Sequence, residues 1–202
     1  ALAMDVRSGP LERAQAHVRD YEERERARRQ DVWAVPIHLR LSDGLKELKP
    51  GEADTVIIAG MGGELIIKIL DEGRHVWDSV KQYILSPQSD LDKVRRYLAG
   101  HGFAIEDEAM VKDEGKYYTV MSVKRGFMEY ESQAHYLYGK ILIDKKDVIL
   151  REYLGREMLR IEKILVSLQA KDGITDTETR AEARISRQKE LSWIKEAQDE
   201  MQ

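Results

Sequence analysis

Four short stretches carry residue types that could do chemistry: Asp5, Ser42-Asp43-Gly44, Gly60-Met61-Gly62-Gly63 and Pro87-Gln88. A carboxylate such as Asp5 can accept hydrogen bonds from both hydroxyls of a ribose. It can equally cap the helix that begins near Pro10. Ser42-Asp43-Gly44 can present an acceptor to the exocyclic amine of an adenine, or simply close a type I turn. The glycines at 60, 62 and 63 clear side chains from the path of a ligand and turn helix amides outward. Tight packing of a strand against a helix would ask for the same glycines. Each stretch alone is ambiguous, and their positions in the chain carry the argument.

Spacing excludes several chemistries. A dinucleotide site wants G-x-G-x-x-G after a first strand, with an acidic residue ~20 positions on. Here "GMGG" follows a later strand and does not complete that pattern. No G-x-x-x-x-G-K-[ST] is present, so there is no P-loop. His17, His38, His75, His101 and His135 are scattered without metal-ligand spacing, so no metal is expected. With no cysteine in the chain there is neither a thiol nucleophile nor a disulfide framework. A reaction that needs no covalent nucleophile and no metal fits this inventory.

The elements that must position these residues follow from periodicity. Residues 2–6 read as a strand. Gly9-Pro10 opens a helix carrying Leu11, Ala14, Val18 and Tyr21 at helical spacing. Residues 36–41 alternate as a half-buried strand. Residues 54–59 are an apolar strand that runs through the glycines into a helix over 63–72. A strand over 83–85 ends at Ser86-Pro87-Gln88, and Ser89 is the expected N-cap of a helix over 90–99. Two β-runs joined at Glu114-Gly115 close the region as a hairpin. Alternation of strands and helices predicts an α/β fold with a mainly parallel sheet and an antiparallel hairpin at its end. In such sheets ligands sit beyond the carboxyl ends of the strands, where Asp5, Asp43, Gly60 and Pro87 all fall.

From residue 144 the pattern changes. Leu154, Met158, Ile161, Leu165 and Leu168 are spaced 4, 3, 4, 3, the seam of a coiled coil. "KDGITDTET" interrupts it, and Leu191, Ile194 and Met201 predict a returning helix. The expected division is therefore 1–143 for the α/β domain and 144–202 for an antiparallel helical coiled coil. The latter is expected to protrude as an interaction element or homo-oligomer contact. Its 12 Lys+Arg against 13 Asp+Glu make it no basic arm. The whole chain of 202 residues has a formal charge of −4, so no global field attracts nucleic acid. The mixed-sign run around Arg24, Arg26, Arg28 and Arg29 reads as a solvated helix face. No apolar run approaches the ~20 residues of a membrane span. The opening "ALAMDVRSGP" has no secretory pattern. A cytoplasmic protein without a membrane partner is expected.

Taken together, "AMDVRSGPLERAQAHV", "LRLSDGLKELKPGEADTVIIAGMGGELIIKILDEG", "ILSPQSDLDKVRRYLAGHGFAIEDEAMVKDEGKYYTVMSVKRG" and the coiled-coil tail resemble the bacterial tRNA (adenine-N1)-methyltransferases that modify position 22 of tRNA. The resemblance spans nearly the whole chain apart from residues 22–35, where "EERERARRQDVWAV" is more charged than the family pattern. It implies a Rossmann-like class I methyltransferase domain, S-adenosylmethionine as cofactor and tRNA as partner. Asp5, with Val6, then corresponds to the ribose-binding strand end. Asp43 and Gly44 correspond to the adenine-binding pair. Ala59, Gly60, Met61 and Gly62 correspond to the loop facing the methyl donor and incoming base, and Met61, Pro87 and Gln88 lie on the substrate side. The family pattern also has a strand and an acidic glycine loop upstream of Asp5. These 202 residues lack both, so the resemblance implies either a sheet without its first strand or a numbering that begins after a lost or cleaved part, with cofactor binding and activity affected either way. Two other readings stay open at this level: an inactive methyltransferase-like fold that binds RNA or protein, and a small-molecule methyltransferase on the same fold.

Overall fold

The computed structural model describes residues 1–28, 36–169 and 177–202. The chain forms two compact units, one of residues 1–55 with 67–81 and one of residues 56–66 with 82–202. In the first unit, β1 (Leu2–Asp5) pairs in parallel with β2 (His38–Leu41), and α1 (Ser8–Arg28) lies between them in the chain. The register sets Asp5 opposite Leu41, and Ser42 N donates to Asp5 O at 2.9 Å, so the ladder continues one residue past the strands. Among the described residues of this unit, Leu45, Leu48, Ile69, Leu70, Val76, Trp77 and Val80 are the buried apolar ones. The Trp77 indole Nε1 donates to Leu70 O at 2.9 Å, which makes burial compatible with its polar edge. Arg40 donates to both carboxylate oxygens of Glu52, at 2.6 and 2.5 Å, and draws that carboxyl down to about 2. Paired charge-assisted bonds of this kind favour the ionised form.

The second unit is built on a sheet of order β3-β4-β6-β5: β3 (Thr55–Met61), β4 (Gln82–Pro87), β6 (Lys116–Arg125) and β5 (Phe103–Asp113). β4 and β5 both run antiparallel to β6. The hairpin closes through Glu114 (φ 46°) and Gly115 (φ 78°). Two adjacent left-handed residues suit the twist of a tight hairpin. Tyr83 and Leu85, Phe103 and Ile105, and Met121 and Val123 are buried, alternating along their strands as the period of two requires. The expected α/β architecture and its closing antiparallel hairpin are present, but among the described residues the strands are of mixed direction: one parallel pair, and one four-stranded sheet in which β6 runs antiparallel to both neighbours. α2 (Gly63–Glu72) follows β3, and α3 (Leu91–Gly100) follows β4.

Ser89 is not the N-cap of α3. The chain inserts one more residue, Asp90, which takes the left-handed conformation (φ 53°) and occupies the cap position without a side-chain cap bond. Asp tolerates that conformation better than most residues. The Ser89 hydroxyl instead donates to the Asp90 carboxylate at 2.6 Å.

The tail begins with a π-helical turn (His135–Gly139) and continues through α4 (Lys140–Asp144), α5 (Val148–Gln169) and α6 (Thr177–Glu200). The anticipated seam is the core of the helical pair. Leu154 and Ile161 are buried with Ile194 and Met201, and Met158, Leu165 and Leu191 pack against them, as heptad spacing requires. "KDGITDTET" lies mostly outside the described residues, as do residues 29–35. A buried ion pair ties the tail to its sheet. Arg95 of α3 donates from Nε to Glu108 Oε1 of β5 at 2.9 Å, and from Nη1 to Tyr136 O and Leu137 O of the π-turn at 2.7 and 3.0 Å. Both side chains are fully buried. Burial pushes the Glu108 carboxyl up, and the adjacent guanidinium opposes that shift, the usual contest between desolvation and a counter-charge. Gly139 (φ 91°) stands where an added Cβ would lie 2.5 Å from Glu108 Oε2. Conformation and space both require glycine there.

Candidate active site

The structure gathers the strand-end residues into two groups, one in each unit. In the first, Asp5 ends β1 and Asp43-Gly44 follows the end of β2, side by side through the parallel ladder. One Asp5 carboxylate oxygen accepts from Arg7 N at 2.8 Å, a local turn just ahead of α1. The second oxygen makes no hydrogen bond among the described residues, so it retains acceptor capacity. Val6 is 58% exposed beside it. Asp43 is engaged: Lys46 Nζ donates to Oδ2 at 2.5 Å and holds the carboxyl below its usual range. Ser42 is buried, and its hydroxyl donates to Gly44 O at 2.8 Å and accepts from Glu47 N at 3.2 Å. Gly44 has φ 62°, and a Cβ there would lie 2.9 Å from Ile69 Cγ1. Its glycine is therefore explained by conformation and by packing against Ile69.

The second group behaves differently. β3 alternates with Val56 and Ile58 buried, then leaves Ala59, Gly60 and Met61 exposed at its end. Gly60 has φ 75°, and an added Cβ would meet nothing within 4 Å. The conformation demands glycine there while the space in front of it is open. Gly62 and Gly63 are the packed glycines of this corner: a Cβ at Gly62 would lie 3.2 Å from Ser89 Oγ, and one at Gly63 would lie 2.5 Å from Ser89 O. Gly63 N donates to Ser89 O at 3.1 Å, and Gln88 N donates to Met61 O at 2.9 Å. These two backbone bonds lock the end of β4 beside the glycine corner. Pro87 is buried there and Gln88 is exposed.

Sequence reasoning passed over a polar network at this corner. Lys93 donates to Glu64 Oε1 at 2.5 Å and pairs with Asp90 at 3.0 Å. The Ser89 hydroxyl and Lys93 together lower the Asp90 carboxyl from its ordinary range. The signal available in the sequence was Ser-Asp directly after a proline-containing strand end, a pairing that favours a turn before a helix. Among the described residues no group of three or more His, Cys, Asp or Glu is placed to hold a metal ion. No helix there is long and apolar enough to cross a membrane.

The α/β scaffold with its helical tail matches solved structures of Rossmann-like methyltransferases. A Streptococcus pneumoniae protein, described as a putative tRNA (m1A22) methyltransferase, superposes with a TM-score of 0.81 at 28% identity, covering 98% of this chain and 81% of that one. The structure of that protein in complex with S-adenosyl-L-methionine matches at 0.77 and 27%, with 98% and 80% covered. The crystal structure of the Bacillus subtilis M1A22 tRNA methyltransferase matches at 0.77 and 26%, with 98% and 81% covered. The chain belongs to the tRNA (adenine(22)-N(1))-methyltransferase family, whose model matches residues 1–191. The tRNA (adenine(22)-N(1))-methyltransferase of Bacillus subtilis is 32% identical over 133 residues, which is 63% of this chain. That match spans 56% of the relative's own length.

Proposed function

We propose that this protein transfers a methyl group from S-adenosylmethionine to N1 of an adenine in tRNA, at position 22 by family membership. The observation that carries the reading is the Gly60 corner: a left-handed glycine at a strand end, open in front, with the next strand end locked beside it. When bound, S-adenosylmethionine supplies an electrophilic methyl on a sulfonium. Family membership and the relative solved with that cofactor support its assignment here. The residues of each unit, taken by itself, suit a part of the group. Asp5 has an uncommitted carboxylate oxygen for the ribose hydroxyls, with Val6 exposed next to it. Gly44 and Asp43 follow the neighbouring strand, and Ala59–Gly62 offer backbone with little side chain to obstruct.

The chemistry asks little of side chains. Adenine N1 keeps a lone pair, so no base need remove a proton before attack, and the protein's contribution is alignment and exclusion of water. Residues 59–61 are exposed, and their backbone carbonyls, that of Met61 shared with Gln88 N, favour the cation that develops on the adenine. The target base must leave its stack to reach a strand-end corner. We assign the division between residues 1–143 and 144–202 to this purpose: the first part performs transfer, and the helical pair adds a second surface for a folded RNA. The work is placed in the cytoplasm, with tRNA as partner.

The test is transfer of radiolabelled methyl from S-adenosylmethionine to unmodified bacterial tRNA, with the labelled nucleoside identified by chromatography. Label at adenine N1 is expected. Cofactor binding by calorimetry without any label in tRNA would replace this reading with a binding module or a different acceptor.

A further inference from the structure

Three polar side chains stand at the end of β4, and two are committed. The Ser89 hydroxyl is held by Asp90 and lies 3.4 Å from Gly63 N. Asp90 is held by Ser89 and Lys93. Gln88 is the third. Its backbone is fixed by the bond from its N–H to Met61 O at 2.9 Å and by the buried ring of Pro87 before it. Its side chain is exposed and its carboxamide makes no hydrogen bond among the described residues. A donor-acceptor pair therefore extends from a backbone fixed at the strand end, one backbone hydrogen bond from the open glycine corner, with both of its hydrogen-bonding groups unused among the described residues.

We propose that Gln88 is the specificity residue for the target base, its carboxamide pairing with the N6–H and N7 edge of the incoming adenine. This rests on the methyl-transfer reading above. A carboxamide matches that edge in both directions: its oxygen accepts from N6–H, and its nitrogen donates to N7. Guanine offers two acceptors on the same edge, O6 and N7, and faces the amide oxygen with a repulsive contact. Pairing on this edge also leaves the N1 lone pair free. As N1 bonds to the methyl carbon, the carbon–sulfur bond breaks, the sulfonium becomes a neutral thioether and the positive charge passes to the adenine. N6–H then becomes a stronger donor, so the bond to the Gln88 oxygen strengthens during reaction and contributes to kcat.

The test is a cycle between protein and substrate, using the full-length protein and tRNA transcripts with adenine or 7-deazaadenine at the target position. Gln88→Ala is expected to lower kcat/KM on adenine about 10- to 100-fold while leaving S-adenosylmethionine affinity by calorimetry unchanged. Wild type should lose part of that factor on 7-deazaadenine, which lacks the N7 acceptor, and Gln88→Ala should lose nothing further. Gln88→Glu, which keeps one acceptor but faces N7 with a second oxygen, should fall below wild type on adenine and regain part of that loss on 7-deazaadenine, where no N7 lone pair opposes it. Independent, multiplicative losses from the two changes would overturn the assignment of Gln88, as would an unchanged rate for Gln88→Ala on adenine. Wild type binding cofactor but methylating neither transcript would instead overturn the methyl-transfer reading, and this inference with it.

Discussion

Gly44 and Gly60 both sit at strand ends in the left-handed region, with φ of 62° and 75°. Their surroundings differ. The space a Cβ would take at Gly44 already holds Ile69, at 2.9 Å, whereas at Gly60 it is empty out to 4 Å. The first glycine is required by the fold's own packing. The second is required by backbone conformation alone and leaves an opening. A glycine in a ligand-facing motif is therefore no sign by itself of close approach to a ligand; what matters is what would meet the missing side chain.

That contrast can be broken or sharpened by substitution. Gly44→Ala adds left-handed strain to an overpacked contact and should cost about 2–4 kcal/mol in urea unfolding. Because Ile69 is the obstruction, Gly44→Ala with Ile69→Ala should lose less than the sum of the two single changes. Strict additivity would remove the packing explanation. Gly60→Ala should cost about 1–2 kcal/mol, the conformational part only. It should also lower methyl transfer to tRNA at least about tenfold if a methyl group there obstructs a substrate aligned for attack. A stability loss as large as that of Gly44→Ala would mean the corner is not open. Met61 is 38% exposed. Met61→Trp should therefore shift stability by no more than about 0.5 kcal/mol. The same change should abolish methyl transfer and spare cofactor affinity; unchanged activity would take the incoming base away from this residue.

The smallest effect expected is an acid dependence confined to the first unit. Arg40 lowers the Glu52 carboxyl from 4.5 to about 2. A carboxyl depressed in the folded state contributes stability that is fully present above its unfolded value and is lost as pH falls toward its folded one. For Glu52 that window runs from 4.5 down to about 2. Glu52→Gln should flatten thermal stability across it and change little at neutral pH, since the pair is partly exposed and screened. An acid loss equal in both proteins would show that other carboxylates govern acid unfolding.

The strands and helices were legible because their signals are local. Val56 and Ile58 alternate into the interior, and Leu154, Met158, Ile161 and Leu165 keep the heptad spacing that α6 completes. The turn at Glu114-Gly115 was legible for the same reason, since two adjacent left-handed residues have a characteristic composition. Ser89 misleads because a serine before a helix is a strong capping signal, and nothing nearby announces that Asp90 will take the left-handed position. The Arg95–Glu108 pair could not be read at all. An arginine in α3 and a glutamate in β5 look solvated until the π-turn carbonyls of Tyr136 and Leu137 close over them.

Residue order alone determined that an apolar strand runs into a glycine corner, that a proline-bearing strand end follows, and that a heptad tail comes last. Those features depend on chemistry between near neighbours in the chain. Only the tertiary structure decided that Gly44 is filled by Ile69 while Gly60 stays open, and that Ser89 and Asp90 are committed while Gln88 is not. Whether a side chain is committed depends on partners brought in from elsewhere in the chain, and folding, not local sequence, supplies those partners.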